Sequence, residues 1–377
     1  MRRIRMLDLA AEFKLFEPDV RAAIDAVLDS QHFIGGPAIS QLEREIGGYL
    51  GVRHAVAVSN GTDALVCALM ALGIGPGDEV ILPSFTFFAT AGSVWRVGAR
   101  PIFVDIDSRT FNIDSECVER AVTPRTRAIM PVHLFGQCAE MDELNAIAQR
   151  HGLKVIEDAA QAIGATYRGR KACALGDLAS LSFYPTKNLG GFGEGGMVLT
   201  NDDELGSIVR QLRCHGESQR YVHERVGANF RLDTMKAAIL SVKLPFLDEF
   251  TRRRRANAAL YDDLLAGAAC TRPFVAEHNH HVYHQYSILC DRRDELMSSL
   301  RERGVDTAVY YPVPLHLQKC FSALGYKRGD LPVTESTCER IVSLPVQPML
   351  MKDDITYVAG CVQEFRPVRT TAAVASR

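Results

Sequence analysis

Between residues 50 and 200, short apolar runs alternate with longer stretches of helical period. HAVAV (His54 to Val58) reads as a strand, followed by a turn and a helix from Gly61 to about Leu72. DEVILP gives a second strand ending at Pro83, and ARPIFVDID a third after a helical segment around Ala89 to Val97. RAIMPVHLFG gives a fourth, then a helix through MDELNAIAQRHG that Gly152 stops, and LKVIEDAAQ a fifth. DLASLSFYPTKNLGGFGEGGMVLT holds two further strands around a glycine-rich loop. These runs are nearly continuous in Val, Ile and Leu, as in strands buried on both faces of a mostly parallel sheet. Strand and helix alternating at this spacing predict a doubly wound α/β sheet.

A long amphipathic stretch then runs from Asp233 to Leu265, interrupted near Pro245. Beyond it, HVYHQYSILC, SSLRERGV and the helix-like TESTCERIVSL predict a smaller α/β domain. The expected division is residues 1–245 for a large domain, 246–368 for a small one and 369–377 for a disordered tail without periodicity.

Composition narrows the function classes. With 43 Lys plus Arg against 45 Asp plus Glu, the net charge is −2, and the broad basic field of a nucleic-acid binder is missing. The run Arg252 to Arg255 has no interleaved aromatic residue and reads as a solvated helix face. No apolar run approaches the ~20 residues of a membrane span, and the basic N-terminus lacks a following apolar segment. Ten scattered cysteines without a Cys-x-x-Cys pair read as small buried hydrophobes in a reducing, cytoplasmic compartment. His278, His280, His281 and His284 lack a cysteine or carboxylate that would complete metal-ligand spacing, so no metal site is expected.

In an open parallel sheet, ligands bind beyond the carboxyl ends of the strands. Ser59, Asn60, Gly61 and Thr62 follow the first strand and open a helix, a place suited to a phosphate or simply to a helix cap. Glu157-Asp158-Ala159-Ala160-Gln161 closes the fifth strand. A carboxylate there needs a cationic partner, which a protonated heteroaromatic nitrogen or a salt bridge would supply. In SFYPTKNLGGFGEGG, Lys187 precedes Gly190, Gly191, Gly193, Gly195 and Gly196. An apolar setting would lower its pKa and suit Schiff-base chemistry. The alternative is a flexible hairpin with a solvated lysine. His133, after the fourth strand, reads as a structural histidine ahead of a substrate contact. Taken together, a helix N-terminus for phosphate, a strand-end Asp for a pyridinium nitrogen and a loop Lys for an aldehyde are the anchors of pyridoxal phosphate.

Seven segments then carry a specific likeness: FIGGP (33–37), SNGTDAL (59–65), PSFTFFAT (83–90), EDAAQ (157–161), SFYPTKN (182–188), NFRLD (229–233) and YYPVPLHLQ (310–318). With them the chain resembles, over nearly its whole length, the DegT/DnrJ/EryC1/StrS family of pyridoxal-phosphate-dependent nucleotide-sugar aminotransferases. The resemblance implies the fold type I transferase architecture, a large domain with a mostly parallel sheet plus a smaller α/β domain. It implies that Lys187 forms the Schiff base and later shuttles protons, while Asp158 pairs with the ring nitrogen. Gln161 would lie near the ring and its 3-hydroxyl, and Phe87 would stack on the ring, with Phe85 and Phe88 as other candidates. Gly61, Thr62 and Ser182 would hold the phosphate. Asn229 would reach the phosphate of a second subunit, making the active unit a homodimer with shared sites. Tyr311 and His316 would contact the nucleotide sugar or merely pack. Arg231 would face a substrate anion or brace the loop of Asn229.

The reaction implied is transfer of an amino group from L-glutamate to a keto group of a nucleotide-linked hexose, the cofactor alternating with pyridoxamine phosphate. YYPVPLHLQ is similar to that of members acting at C3 more than at C4. Such an enzyme serves aminosugar biosynthesis for cell-surface polysaccharide or glycosylated natural products. Other readings are a 4-keto aminotransferase, a sugar dehydratase whose Schiff-base lysine is replaced by histidine, an amino-acid lyase or desulfurase, and a non-catalytic sensor.

Overall fold

The computed structural model describes residues 3–365, so the expected tail lies outside the described residues. Three helices precede the sheet: α1 (Leu9–Phe13), α2 (Glu17–Ser30) and α3 (Pro37–Leu50). The first half of the sheet domain runs β1 (His54–Val58), α4 (Gly61–Ala71), β2 (Glu79–Pro83), α5 (Phe88–Arg96), β3 (Arg100–Val104), α6 (Ser115–Ala121) and β4 (Thr126–Ile129). It continues with α7 (Met141–His151), β5 (Lys154–Asp158), β6 (Thr166–Tyr167), β7 (Arg170–Lys171), β8 (Leu178–Ser182), β9 (Gly196–Thr200) and α8 (Asp203–Arg213).

Seven strands form one sheet in the order β1-β9-β8-β5-β4-β2-β3. The pairs β2–β3, β2–β4, β4–β5 and β5–β8 are parallel, while β9 is antiparallel to both neighbours, β1 and β8. The sheet is thus mostly parallel as expected, and β9 returns beside β8 because the glycine-rich loop makes the pair a hairpin. Both faces are covered. Val56, Val58, Val80, Leu82, Met130, Ile156 and Val198 pack with α4 on one face. Ala55, Ala57, Leu181, Met197 and Leu199 meet α3 and α9 (Thr234–Lys243) on the other. The runs are apolar at successive positions because neighbouring side chains enter different cores.

Exposed strands β10 (Glu217–Gln219) and β11 (Val222–His223) form a separate hairpin. After α9, Leu244–Phe246 makes a single tight turn at Pro245, and α10 (Leu247–Leu264) leads into the C-terminal part. There β12 (Asn279–His280) pairs with β6, and β13 (Tyr286–Leu289) with β14 (Ile341–Leu344). Helices α11 (Arg293–Glu302), α12 (Pro332–Arg340) and α13 (Lys352–Glu364) complete the chain. Ile4 joins this C-terminal core, its amide donating to Gly304 and its carbonyl accepting from Asp306. Among the described residues no helix is long and apolar enough to cross a membrane.

Three expectations change. TESTCERIVSL is helix only to Arg340, and the fully buried Ile341–Leu344 is strand β14. Arg252 to Arg255 is not one solvated face: Arg254 is 4% exposed and donates to the Tyr283 carbonyl, while Arg255 donates to that of His281. Successive helical residues turn by ~100°, so four in a row must visit both faces of α10. The cysteines are all free, six of them buried (Cys67, Cys138, Cys173, Cys290, Cys338, Cys361), but Cys320 is exposed.

Candidate active site

The carboxyl end of β1 feeds α4 through Ser59 and Asn60. Asn60 is the helix cap, its Oδ1 accepting from the Asp63 backbone amide, and both the Asn60 Nδ2 and the Ser59 hydroxyl donate to the Asp63 carboxylate. The capping reading therefore holds for these two residues. The Gly61 and Thr62 amides, at the first two helical positions, point out of the helix with its positive end. Gly61 lies against β8: a Cβ at this position would fall 2.7 Å from that of Ser182. Only glycine lets the two approach, and the contact sets the Ser182 hydroxyl beside the helix N-terminus.

The next strand ends supply the carboxylates. In β5, Glu157 and Asp158 point to opposite faces and have opposite fates. Glu157 is fully buried and saturated, accepting from His133 Nε2 (2.8 Å) and from the amides of Cys173 (2.8 Å), Leu175 (2.7 Å) and Gly176 (2.7 Å). His133 Nδ1 accepts from the Ala139 amide at 3.2 Å, so Nε2 carries the proton and both ring nitrogens are taken. His133 is a structural histidine. Asp158, 5% exposed, accepts from the Thr90 hydroxyl at 2.8 Å and the Ala160 amide at 3.2 Å. Burial raises its pKa above the usual carboxylate value, opposed by Thr90, Ala160 and the nearby Lys187.

Lys187 follows the turn after β8. Burial lowers its amine to about 8 against the opposing pull of the strand-end acid Asp158. No hydrogen bond or ion pair to the amine is found among the described residues. At pH 7 a pKa near 8 leaves about a tenth of the amine neutral and nucleophilic, against about 0.03% for an ordinary lysine.

Gln161 Oε1 accepts from the Phe135 amide (2.8 Å), and its Nε2 donates to Tyr311 Oη (3.0 Å). The Phe87 ring lies 6.2 Å from that of Tyr311 and is 56% exposed. Its neighbours are committed: Phe85 is 1% exposed among Phe111, Phe135 and Tyr311, and Phe88 stacks on Phe321. Phe87 is therefore the aromatic of this segment with a face to offer. Arg231 pairs with Val58 at the end of β1, and its Nε is buried without a partner.

Two predicted residues stand apart. His316 is 1% exposed, with Nδ1 2.7 Å from Ser84 Oγ and Nε2 3.1 Å from Glu335. With both nitrogens engaged it packs rather than contacts a sugar, and it packs against the large sheet domain. Asn229 is exposed in the single chain. The four C-terminal histidines do not converge: His278 meets Glu140, His280 pairs with Thr166 of β6, His281 accepts from the Tyr283 amide and His284 meets Asn188. Sequence reasoning missed Thr90, whose hydroxyl reaches Asp158 across 68 residues and is itself 2.9 Å from Thr86 Oγ1. Nothing in the spacing of FFAT signals that contact.

The donor set fits pyridoxal phosphate: outward amides at a helix N-terminus with Ser182, a half-satisfied buried carboxylate, an unpartnered desolvated amine and a free aromatic face. Comparison with known proteins agrees. Residues 16–363 match the DegT/DnrJ/EryC1/StrS aminotransferase family. The chain is 50% identical over 365 residues to the pleiotropic regulatory protein of Geobacillus stearothermophilus, covering 96% of this chain and 98% of that one. It is 45% identical over 359 residues to the UDP-2-acetamido-2-deoxy-3-oxo-D-glucuronate aminotransferase of Pseudomonas aeruginosa, covering 95% and 99%. A crystal structure of DesV from S. venezuelae in complex with a ketimine intermediate superposes with a TM-score of 0.95 at 45% identity, covering 97% and 98%.

Proposed function

Because the chain belongs to the DegT/DnrJ/EryC1/StrS aminotransferase family and is a pyridoxal-phosphate-dependent sugar aminotransferase, we propose that it moves the amino group of L-glutamate to the C3 keto group of a nucleotide-linked hexose. The observation that carries the reading is the desolvated, unpartnered Lys187 amine beside the buried Asp158. The bound cofactor supplies an electron sink for the carbon that loses its proton. Lys187 Nζ would hold the cofactor's aldehyde and serve as the group that takes and returns that proton. Asp158 holds the ring nitrogen in its protonated form, and Thr90 and Ala160 hold Asp158. Gly61, Thr62 and Ser182 would bind the phosphate, Phe87 would offer its exposed face to the ring, and Gln161 holds Tyr311 Oη at 3.0 Å beside the site. Arg231, with its unpartnered nitrogen, is suited to an anionic group of the substrate.

The C3 assignment is supported by YYPVPLHLQ and by the 3-oxo substrate named for the Pseudomonas aeruginosa relative. Ten free cysteines support a reducing, cytoplasmic setting. The regulatory name of the Geobacillus stearothermophilus relative favours a sensor as second reading. A sensor has no use for a nucleophilic Lys187 beside a buried Asp158, and the same residue argues against the dehydratase. Half-transamination decides. L-Glutamate should bleach the cofactor's visible band, and a 3-keto nucleotide sugar should restore it faster than a 4-keto one. Faster restoration by 4-keto sugars overturns the C3 reading, and no response to any amino donor overturns catalysis.

The active unit is proposed to be a homodimer in which Asn229 serves the other subunit's phosphate. Asn229 is exposed, and nearby Tyr221 and Val226 are 77% and 89% exposed, an apolar surface suited to a partner. Mixing inactive Lys187→Ala with impaired Asn229→Ala should then restore about a quarter of wild-type activity, since random assortment gives half mixed dimers with one intact site each. Subunit exchange without recovered activity would show that each site is built from one chain.

A further inference from the structure

A second lysine is buried near the first, and the reaction as described does not use it. Lys243, the last residue of α9, has a side chain 5% exposed. Its ammonium pairs with Glu12 Oε1 at 2.9 Å and donates to the carbonyl of Gly190. The Phe16 and Phe192 rings flank it, their centroids 5.3 Å and 5.7 Å away. A charge so deeply placed is costly unless every neighbour answers it. Here the neighbours come from three places: α1 and the segment after it, the end of α9, and the glycine-rich loop.

Gly190 is where that loop closes. A Cβ there would sit 2.2 Å from the Pro185 carbonyl oxygen, and the next amide, Gly191, donates to Phe183 at 2.8 Å. Residues 183 to 191 thus form a closed turn carrying Lys187, whose own amide donates to Tyr184 at 2.8 Å. Inside the turn the backbone bonds fix its shape. The closed turn is tied to the body of the protein at two points: Asn188, whose side chain donates to the Val282 carbonyl at 3.3 Å and meets His284, and Gly190, held by Lys243. Phe192, just beyond, packs edge-on against Phe13 of α1 at 5.6 Å, so α1 covers the same spot.

We propose that Lys243 is a positioning residue for Lys187: by holding the Gly190 carbonyl with Glu12 as counterion, it pins the turn that aims the Lys187 amine. The proposal rests on the reading of Lys187 as the Schiff-base lysine. Lys243 touches neither cofactor nor substrate and acts through the turn. Replacing its ammonium with a thioether frees Gly190, loosens the turn and lets the Lys187 amine move to a more solvated position, weakening the desolvation that depresses it.

The test is the pH dependence of Lys187 acylation by acetic anhydride in the full chain stripped of cofactor, followed by mass spectrometry, with melting temperature recorded alongside. Wild type should show a midpoint near 8, as burial dictates. Lys243→Met should raise it by about one unit, cut the half-transamination rate about tenfold, and do both at pH values where the variant is fully folded. Lys243→Arg, which keeps charge and donors, should return the midpoint toward the wild-type value. If Lys243→Met does not fold, Glu12→Gln removes the counterion alone and should move the midpoint in the same direction by less. A midpoint unchanged in whichever variant folds, even with a lower melting temperature, overturns the proposal and leaves Lys243 a purely structural ion. Borohydride trapping of the wild-type cofactor on another lysine would instead overturn the reading of Lys187, so the two failures are distinguishable.

Discussion

Lys187→Ala should reduce turnover by three orders of magnitude or more, because in the proposed function one amine both links the cofactor and carries the proton. The purified wild-type chain should be yellow, and borohydride should fix the reduced cofactor on Lys187. Finding it elsewhere, or measuring near-normal turnover in the variant, would end the catalytic reading. The fold should survive, since the amine makes no hydrogen bond or ion pair among the described residues and its burial disfavours the charged form. A pH signature separates loss of chemistry from loss of fold. The amine titrates at about 8 when folded and from the ordinary 10.5 when unfolded. Between those values the unfolded chain binds the extra proton, so the stability of the cofactor-free chain rises with pH across that window. Lys187→Ala should abolish this rise while leaving the melting temperature at pH 7 unchanged or higher. A variant that melts early at neutral pH would mean that the lysine braces the loop.

Local chemistry made Lys187 and Asp158 legible: a strand-end acid and a lysine before a run of glycines are signals carried within a few residues. The strands were legible because both faces of the sheet are covered, which turns alternation into continuous apolar runs. What stayed hidden depends on partners distant in the chain. Thr90 means nothing until α5 brings it to Asp158, and Gln161 finds Tyr311 150 residues later. His316 looked available because a motif gives no account of Ser84 and Glu335 on its two nitrogens. Arg254 sits in a run of arginines whose composition suggests solvent, and only the packing of α10 buries it. Lys243 closes a helix with no local sign that Glu12 and Gly190 await it.

Asp158→Asn is expected to separate catalysis from cofactor binding more sharply than any other change at the site. The asparagine keeps the size of the side chain, and its neighbours can accept it. Its oxygen can keep the Ala160 amide, and its nitrogen can donate to Thr90, whose hydroxyl can turn to donate to Thr86 2.9 Å away. Folding should therefore change little. The phosphate cradle and Lys187 are untouched, so cofactor affinity should fall by no more than about tenfold. What disappears is the negative charge that, in the proposed function, keeps the ring nitrogen protonated in a buried, low-dielectric place, where such a charge acts most strongly. The rate of proton removal from the amino donor should drop by about two to three orders of magnitude. A second readout needs no substrate. Asp158 raises the Lys187 pKa, opposing burial, so its neutralisation should move the Lys187 acylation midpoint below about 8. That shift is opposite in sign to the one expected for Lys243→Met, which makes the pair a check on each other. A near-normal rate together with an unmoved midpoint would show that the Asp158 carboxylate faces neither the cofactor nor Lys187, and that its two hydrogen bonds are its whole role.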